Sequence, residues 1–127
     1  MGGHEAMITA GIGCRRGCPA SDIIAVLHDA QAASGVLVDN IAVPSFKSAE
    51  PGLLAAIASL ALTLIHVDDA GLRDAQPHCV TRSPIVARHT GHASIAEAAA
   101  LAGAGPGAVL RLPRIIFGAA TCSLAEA

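Results

Sequence analysis

Glycine and proline fall at the ends of the short apolar runs in this chain, and that punctuation narrows the possible folds more than any other feature. Residues Ala6 to Ile12 are small and apolar and close on Gly11-Ile12-Gly13, as a short buried strand does when it stops at a glycine-rich turn. Pro19 suits the first turn of a helix. Beyond it, Ile23, Leu27, Ala30 and Ser34 recur at helical spacing until Gly35 ends the pattern. The order is strand, glycine loop, helix.

The alternation continues down the chain. Val36 to Phe46 reads as a second strand, interrupted by Asp39-Asn40 and by Pro44. Glu50-Pro51-Gly52 opens a second helix that runs to about Leu60, and Leu62 to Val67 forms a third strand. Asp68 to Val80 is polar and turn-rich, a loop with a short helix, and Ser83 to Arg88 fits one helical turn. Ser94-Ile95-Ala96-Glu97 is a capping box whose helix continues through Leu101 and stops at Gly103 or Gly105. Val109 to Leu112 and Ile115 to Cys122 are two further strands, joined near Pro113. These elements predict an α/β fold: one three-layer domain over residues 1–127, with its core at about 7–124. Its mixed sheet has about five strands and carries helices on both faces. No internal repeat or linker interrupts it.

Composition removes several classes of function. The chain of 127 residues has 53% hydrophobic and only 14% charged residues, with no Trp or Tyr, which suits a packed interior. Two Phe residues are too few for a base-stacking platform, and a net charge of −2 gives no field to hold a phosphate backbone. No nucleic-acid partner is expected. No apolar run approaches the ~18 residues of a membrane span, and Met1-Gly2-Gly3-His4-Glu5 has no basic region before an apolar block. The expected location is therefore the cytoplasm, with no membrane partner. There Cys14, Cys18, Cys79 and Cys122 stay as free thiols.

The residues that could carry chemistry cluster in a few segments. Gly11-Ile12-Gly13-Cys14-Arg15-Arg16-Gly17 is a loop between a strand and a helix, where backbone N–H groups gather around an anion. Two adjacent guanidinium groups add forked donors for carboxylate or phosphate. The spacing is neither the dinucleotide fingerprint nor a Walker loop. A tight turn with two solvated arginines fits the same residues. Cys14, beside these cations and near a helix start, is a candidate for a lowered pKa. Lys47-Ser48-Ala49-Glu50 ends the second strand and could line the same crevice, or form no more than a surface ion pair. Thr90-Gly91-His92-Ala93-Ser94 offers a second helix-start anion site. Ser94 and Glu97 suit a structural cap better than catalysis. The spacing of the cysteines and of His78, His89 and His92 matches no zinc knuckle, so neither a metal nor a cofactor is called for. No Gly-x-Ser-x-Gly elbow supports a nucleophilic triad.

Taken in order, three segments resemble the family that contains CobE and the C-terminal domain of CbiG, proteins of cobalamin (vitamin B12) biosynthesis. They are Gly13-Cys14-Arg15-Arg16-Gly17, then Lys47 and Glu50 with Leu53-Leu54, and then Thr90-Gly91 leading into Ser94-Ile95-Ala96-Glu97-Ala98-Ala99-Ala100-Leu101. The resemblance covers roughly residues 7 to 124 and reaches the family's terminal strand with Thr121. Cys18 departs from the Ser or Thr of many relatives, which removes a hydroxyl contact there. Because the chain lacks the N-terminal regions of CbiG, it is similar to the stand-alone members of the oxygen-dependent route.

The resemblance implies a role at the precorrin stage of corrin ring synthesis. Precorrins carry many acetate and propionate groups. The expected ligand-binding residues are Gly13, Cys14, Arg15, Arg16, Gly17, Lys47, Glu50, Thr90, Gly91, Ser94 and Thr121. One reading is a carrier or accessory protein that binds an acidic tetrapyrrole and works beside other cobalamin-pathway enzymes. A second is a hydrolase opening the lactone of a precorrin-5-type intermediate, with Glu50 or a histidine as general base and the arginines steadying the oxyanion. A third is a purely structural partner of a precorrin methyltransferase.

Overall fold

A computed structural model describes residues 6–81 and 94–127. These form one five-stranded mixed sheet in the order β3-β2-β1-β5-β4. The strands are β1 (Ile8–Cys14), β2 (Asn40–Pro44), β3 (Thr63–Val67), β4 (Val109–Phe117) and β5 (Ala120–Glu126). β1, β2 and β3 run parallel, while β5 runs antiparallel to both β1 and β4. The helices are α1 (Ala20–Ser34), α2 (Pro51–Leu60), α3 (Asp69–Ala75) and α4 (Ile95–Ala104). The α/β class, the mixed sheet and the two helical layers expected from the sequence are all present.

Strand periodicity assigns the two faces. Ile8, Ala10 and Ile12 of β1 pack with Ile23, Val26 and Leu27 of α1 and Leu53 of α2. Thr9, Gly11 and Gly13, the alternate residues, turn toward α4. Along β5, Cys122 and Leu124 join the α1–α2 side, whereas Ala125 joins the α3–α4 side with Ala98, Ala99 and Ala100.

α4 lies unusually close to the sheet. A Cβ built on Gly11 would sit 1.9 Å from the Ala96 carbonyl oxygen and 2.5 Å from the Ala100 nitrogen. One built on Gly103 would sit 2.5 Å from the Ala42 Cβ. The alanine run is therefore a packing surface, short enough to let two backbones approach across a glycine.

Most boundaries agree with the sequence reading, and three shift for physical reasons. Gly35 caps α1 in the left-handed region, φ 76°, with its N–H donating to Gln31 O. The second strand is shorter than expected and occupies only Asn40–Pro44, because Ser45–Lys47 winds into a 3-10 turn. β1 continues to Cys14, two residues past Ile12. The C-terminal strands do not break at Pro113. β4 runs through it, and the chain turns instead at Gly118-Ala119, between paired Phe117 and Ala120. Gly118 takes φ 57°, suited to the first position of a two-residue hairpin turn. The expected helical turn at Ser83 to Arg88 lies outside the described residues.

Proline is tolerated in β4 because the strand is an edge and its register slips on both sides of Leu112. The backbone groups freed there find side chains. Ser123 Oγ donates to Leu112 O at 2.7 Å, and Arg114 N donates to Glu97 Oε2 at 2.9 Å. Glu97 has 0% exposure. Its Oε1 also accepts from Val80 N (2.8 Å) and Thr81 N (2.9 Å), and its Oε2 from Thr81 Oγ1 (2.6 Å). The Ser94 half of the capping box is present, Glu97 N donating to Ser94 Oγ at 3.3 Å. The Glu97 carboxylate, expected to complete the box, is used elsewhere: it joins α4, the 80–81 segment and β4. Burial by itself would push this carboxyl up; the Thr81 hydroxyl and the Thr81, Arg114 and Val80 amides outweigh it and hold it below its ordinary value.

Two predictions follow from this packing. Gly11→Ala drives a methyl into the α4 backbone and should cost about 3 kcal/mol, lowering the melting temperature by on the order of 10 °C in a circular-dichroism melt. An unchanged melt would show that α4 can lift off the sheet freely. Glu97→Gln leaves amide donors without acceptors and should cost about 1–3 kcal/mol at neutral pH in urea titration. A carboxyl depressed on folding stabilises above its unfolded pKa and loses that contribution as pH falls through the folded value. The gap between wild type and Glu97→Gln should therefore narrow below about pH 4.5, near the ordinary carboxyl value; a gap independent of pH would contradict the ionised assignment.

Candidate functional site at the carboxyl edge of the parallel strands

Because β1 and β2 are parallel neighbours, their carboxyl ends open on the same edge of the sheet, and the loops that follow them meet there. Arg15, Arg16 and Gly17 are exposed in the loop after β1. The loop is a turn closed by Cys18 N donating to Arg15 O at 3.0 Å, with Gly17 at φ 78°. Lys47 and Glu50 lie in the loop after β2. Glu50 is the N-cap residue of α2, yet its side chain makes no cap hydrogen bond. It reaches across instead and accepts from Gly17 N at 2.6 Å. Its other oxygen stands 4.0 Å from Lys47 Nζ. The two segments that the sequence only suggested could face one another are thus joined by a direct hydrogen bond.

Gly52 secures the same junction. A Cβ there would meet the Cys18 carbonyl oxygen at 1.9 Å, so α2 begins pressed against the arginine loop. On the other side stands the β4–β5 hairpin tip: Ala119 O accepts from Arg15 N (3.0 Å), and Ala119 N donates to Asp22 Oδ2 (3.0 Å) at the start of α1. Asp22 and the tip were not singled out from sequence. Gly118 was their only local signal, and it lay inside an apolar run.

Gly13 and Thr121 pair across β1 and β5, and Thr121 Oγ1 donates to Gly13 O at 3.3 Å. A Cβ on Gly13 would meet that hydroxyl at 2.5 Å and Ile95 Cγ2 at 4.0 Å, which puts the start of α4 beside them. Ser94 has 0% exposure, and its hydroxyl serves the cap. Thr90 and Gly91 lie outside the described residues. Nine of the expected residues, Gly13 to Gly17 with Lys47, Glu50, Ser94 and Thr121, are therefore at or just behind one edge.

The cysteines depart from expectation. Cys14 does not have a lowered pKa. Burial raises it, and of its charged neighbours Lys47 opposes the rise while Glu50 adds to it. Cys18 is buried and its thiol is pushed up to about 11, chiefly by burial and then by Cys14, Asp22 and Glu50. The expected arginine effect fails because both guanidinium groups face solvent. None of the four cysteines forms a disulfide, and among the described residues no three His, Cys, Asp or Glu side chains gather as metal ligands.

A groove of about 540 Å³, lined by Gly71, Asp74, His78, Leu101, Pro106 and Val109 among others, lies at the other end of α4. A ten-residue helix, about 15 Å long, separates the two regions. The groove holds none of the residues expected from sequence. The charged, solvent-facing edge is the better candidate because it gathers cationic side chains and an exposed backbone amide.

Comparison with known proteins agrees with this architecture. Residues 8–125 match the family described as cobalamin synthesis G C-terminus. The chain is 36% identical over 123 residues to Protein CobE of Sinorhizobium sp, covering 94% of this chain and 80% of that protein. The crystal structure of CobE, a protein from the cobalamin biosynthetic pathway, superposes with a TM-score of 0.88 at 34% identity, covering 98% of this chain and 92% of that one. Cobalamin biosynthesis protein chiG from Agrobacterium tumefaciens superposes with a TM-score of 0.76 at 40% identity, over 94% and 97% of the two chains. No helix among the described residues is long and apolar enough to cross a membrane. From β1 to β5, over residues 8–125, the chain belongs to the cobalamin synthesis G C-terminus family of cobalamin biosynthesis proteins.

Proposed function

We propose that this protein binds an acidic precorrin or related tetrapyrrole in the cytoplasm, as a carrier or accessory factor in corrin ring synthesis. The observation that carries the reading is the junction of Gly17 and Glu50, which brings Arg15, Arg16 and Lys47 to one edge. A precorrin presents carboxylates around its rim. Guanidinium forks and an ammonium group on neighbouring loops complement such a rim at several points. Both arginines are exposed, so they are available to a ligand approaching from solvent. Glu50 already accepts the loop amide and faces Lys47, which supports a holding role over one as general base. Thr121, Cys14 and the start of α4 would form the back of the crevice, and other enzymes of the pathway would receive the bound pigment.

Titration with a cobalt-free corrinoid bearing free carboxylates, followed by its visible spectrum, tests the proposal. Arg15→Ala and Arg16→Ala should each weaken binding about tenfold at low salt, with the difference shrinking as salt screens the exposed charges. The pigment should be recovered with unchanged mass. A mass shift that disappears in Glu50→Gln would assign lactone hydrolysis instead. No spectral change at micromolar concentrations would leave only a structural role beside a precorrin methyltransferase.

A further inference from the structure

Glu50 is an acidic residue beside Arg15, Arg16 and Lys47, and its carboxylate is turned away from its own helix start. It starts α2 but does not cap it. It lies instead on the Gly17 amide at 2.6 Å with its second oxygen toward Lys47, the arrangement that a bound ligand carboxylate would adopt in a loop of this kind. We propose that Glu50 is an internal placeholder: its carboxylate fills the anion seat of the arginine loop, and a ligand carboxylate displaces it on binding. The inference rests on the tetrapyrrole-binding reading and specifies how that site is regulated.

The exchange needs no rearrangement of the core. Gly17 is exposed, its hydrogen bond to Glu50 lies at the surface, and a Cβ built on it would find no atom within 4 Å, so the loop is open to solvent on that side. One carboxylate replaces another, so the Gly17 N–H keeps an acceptor throughout. Lys47 stays near both carboxylates, and the freed Glu50 side chain can turn to water. The displacement also sets a threshold. A ligand with one carboxylate gains one hydrogen bond and loses the one it replaces, so its net gain is small. A ligand with several carboxylates reaches Arg15, Arg16 and Lys47 as well, and only that kind of ligand gains from the exchange. The placeholder therefore selects for polycarboxylates and keeps small acids from occupying the loop.

The test compares the full-length wild type with Glu50→Ala and Glu50→Gln, using the same cobalt-free corrinoid. Glu50→Ala should bind about tenfold tighter, because the internal competitor and its negative charge are gone. Glu50→Gln, which keeps an acceptor and loses the charge, should fall between Glu50→Ala and the wild type, and it serves as the readout if the alanine variant unfolds. In amide NMR, saturating ligand should shift the Gly17 resonance of the wild type to where it lies in ligand-bound Glu50→Ala. Equal or weaker binding by the variants, or a Gly17 amide unmoved at saturation, overturns the placeholder and makes Glu50 a fixed strut. If Arg15→Ala and Arg16→Ala bind as the wild type does, the binding reading itself fails. Wild-type binding that depends on the arginines but weakens without Glu50 removes the placeholder alone.

Discussion

The Glu97 carboxylate holds together parts of the chain that local preference would leave apart. It is fully buried, and removing a carboxylate from water is costly unless hydrogen bonds compensate. Here they do. Amides of Val80, Thr81 and Arg114 and the hydroxyl of Thr81 converge on its two oxygens. A carboxylate is suited to this position because it is an acceptor only, with room for several donors; an amide side chain would turn an N–H toward another N–H. Through these bonds one residue lets β4 pass a proline, fixes where the chain stands at Thr81, and sits one turn inside the helix capped by Ser94.

The close approach of α4 has the second-largest consequence for the site. With glycine at 11 and alanine at 96 and 100, helix and strand backbones come near enough that no larger residue fits between them. The depth of that contact sets the start of α4, behind Gly13 and Thr121. Leucine in the alanine positions would bury more apolar area per residue, at about 25 cal/mol per Å², but would raise the helix away from β1. The packing thus gives up part of the available burial in return for a fixed position of the helix start.

How far these features were legible in the sequence depended on whether their cause was local. Gly35 ending α1, Pro51 opening α2 and the strand–loop–helix order follow from backbone preferences within a few residues. The meeting of the arginine loop with Lys47 and Glu50 was also accessible, because parallel strands with helical crossovers place successive carboxyl ends at one edge. Pro113 misled for an equally clear reason. Its missing N–H marks a strand break by any local rule, but Glu97 and Ser123, distant in sequence from it, satisfy the groups left over. The turn at Gly118 was hidden because Asp22, nearly a whole chain away, accepts from the tip. Cys14 was misjudged through counting charges by sequence neighbourhood. In space, burial governs its thiol, with Lys47 and Glu50 as the charges that act on it, and the two adjacent arginines are exposed.

That last correction narrows the chemistry open to the edge. With Cys14 raised above its ordinary value and Cys18 pushed to about 11, both thiols are protonated at neutral pH. The loop then carries no thiolate nucleophile, and no thiolate charge cancels the guanidinium groups. What remains is Arg15, Arg16 and Lys47 against Glu50, with Asp22 held by the hairpin tip: three cations and two carboxylates, one of them on the arginine loop itself. The exposed guanidinium groups are individually weak because solvent screens them, so a ligand touching only one gains little. Several contacts made at once by a single rigid polyanion add without repeating the entropic cost of association. On the proposed binding reading, an edge assembled in this way would suit a molecule whose carboxylates are spread around a macrocycle better than one that offers a single reactive group.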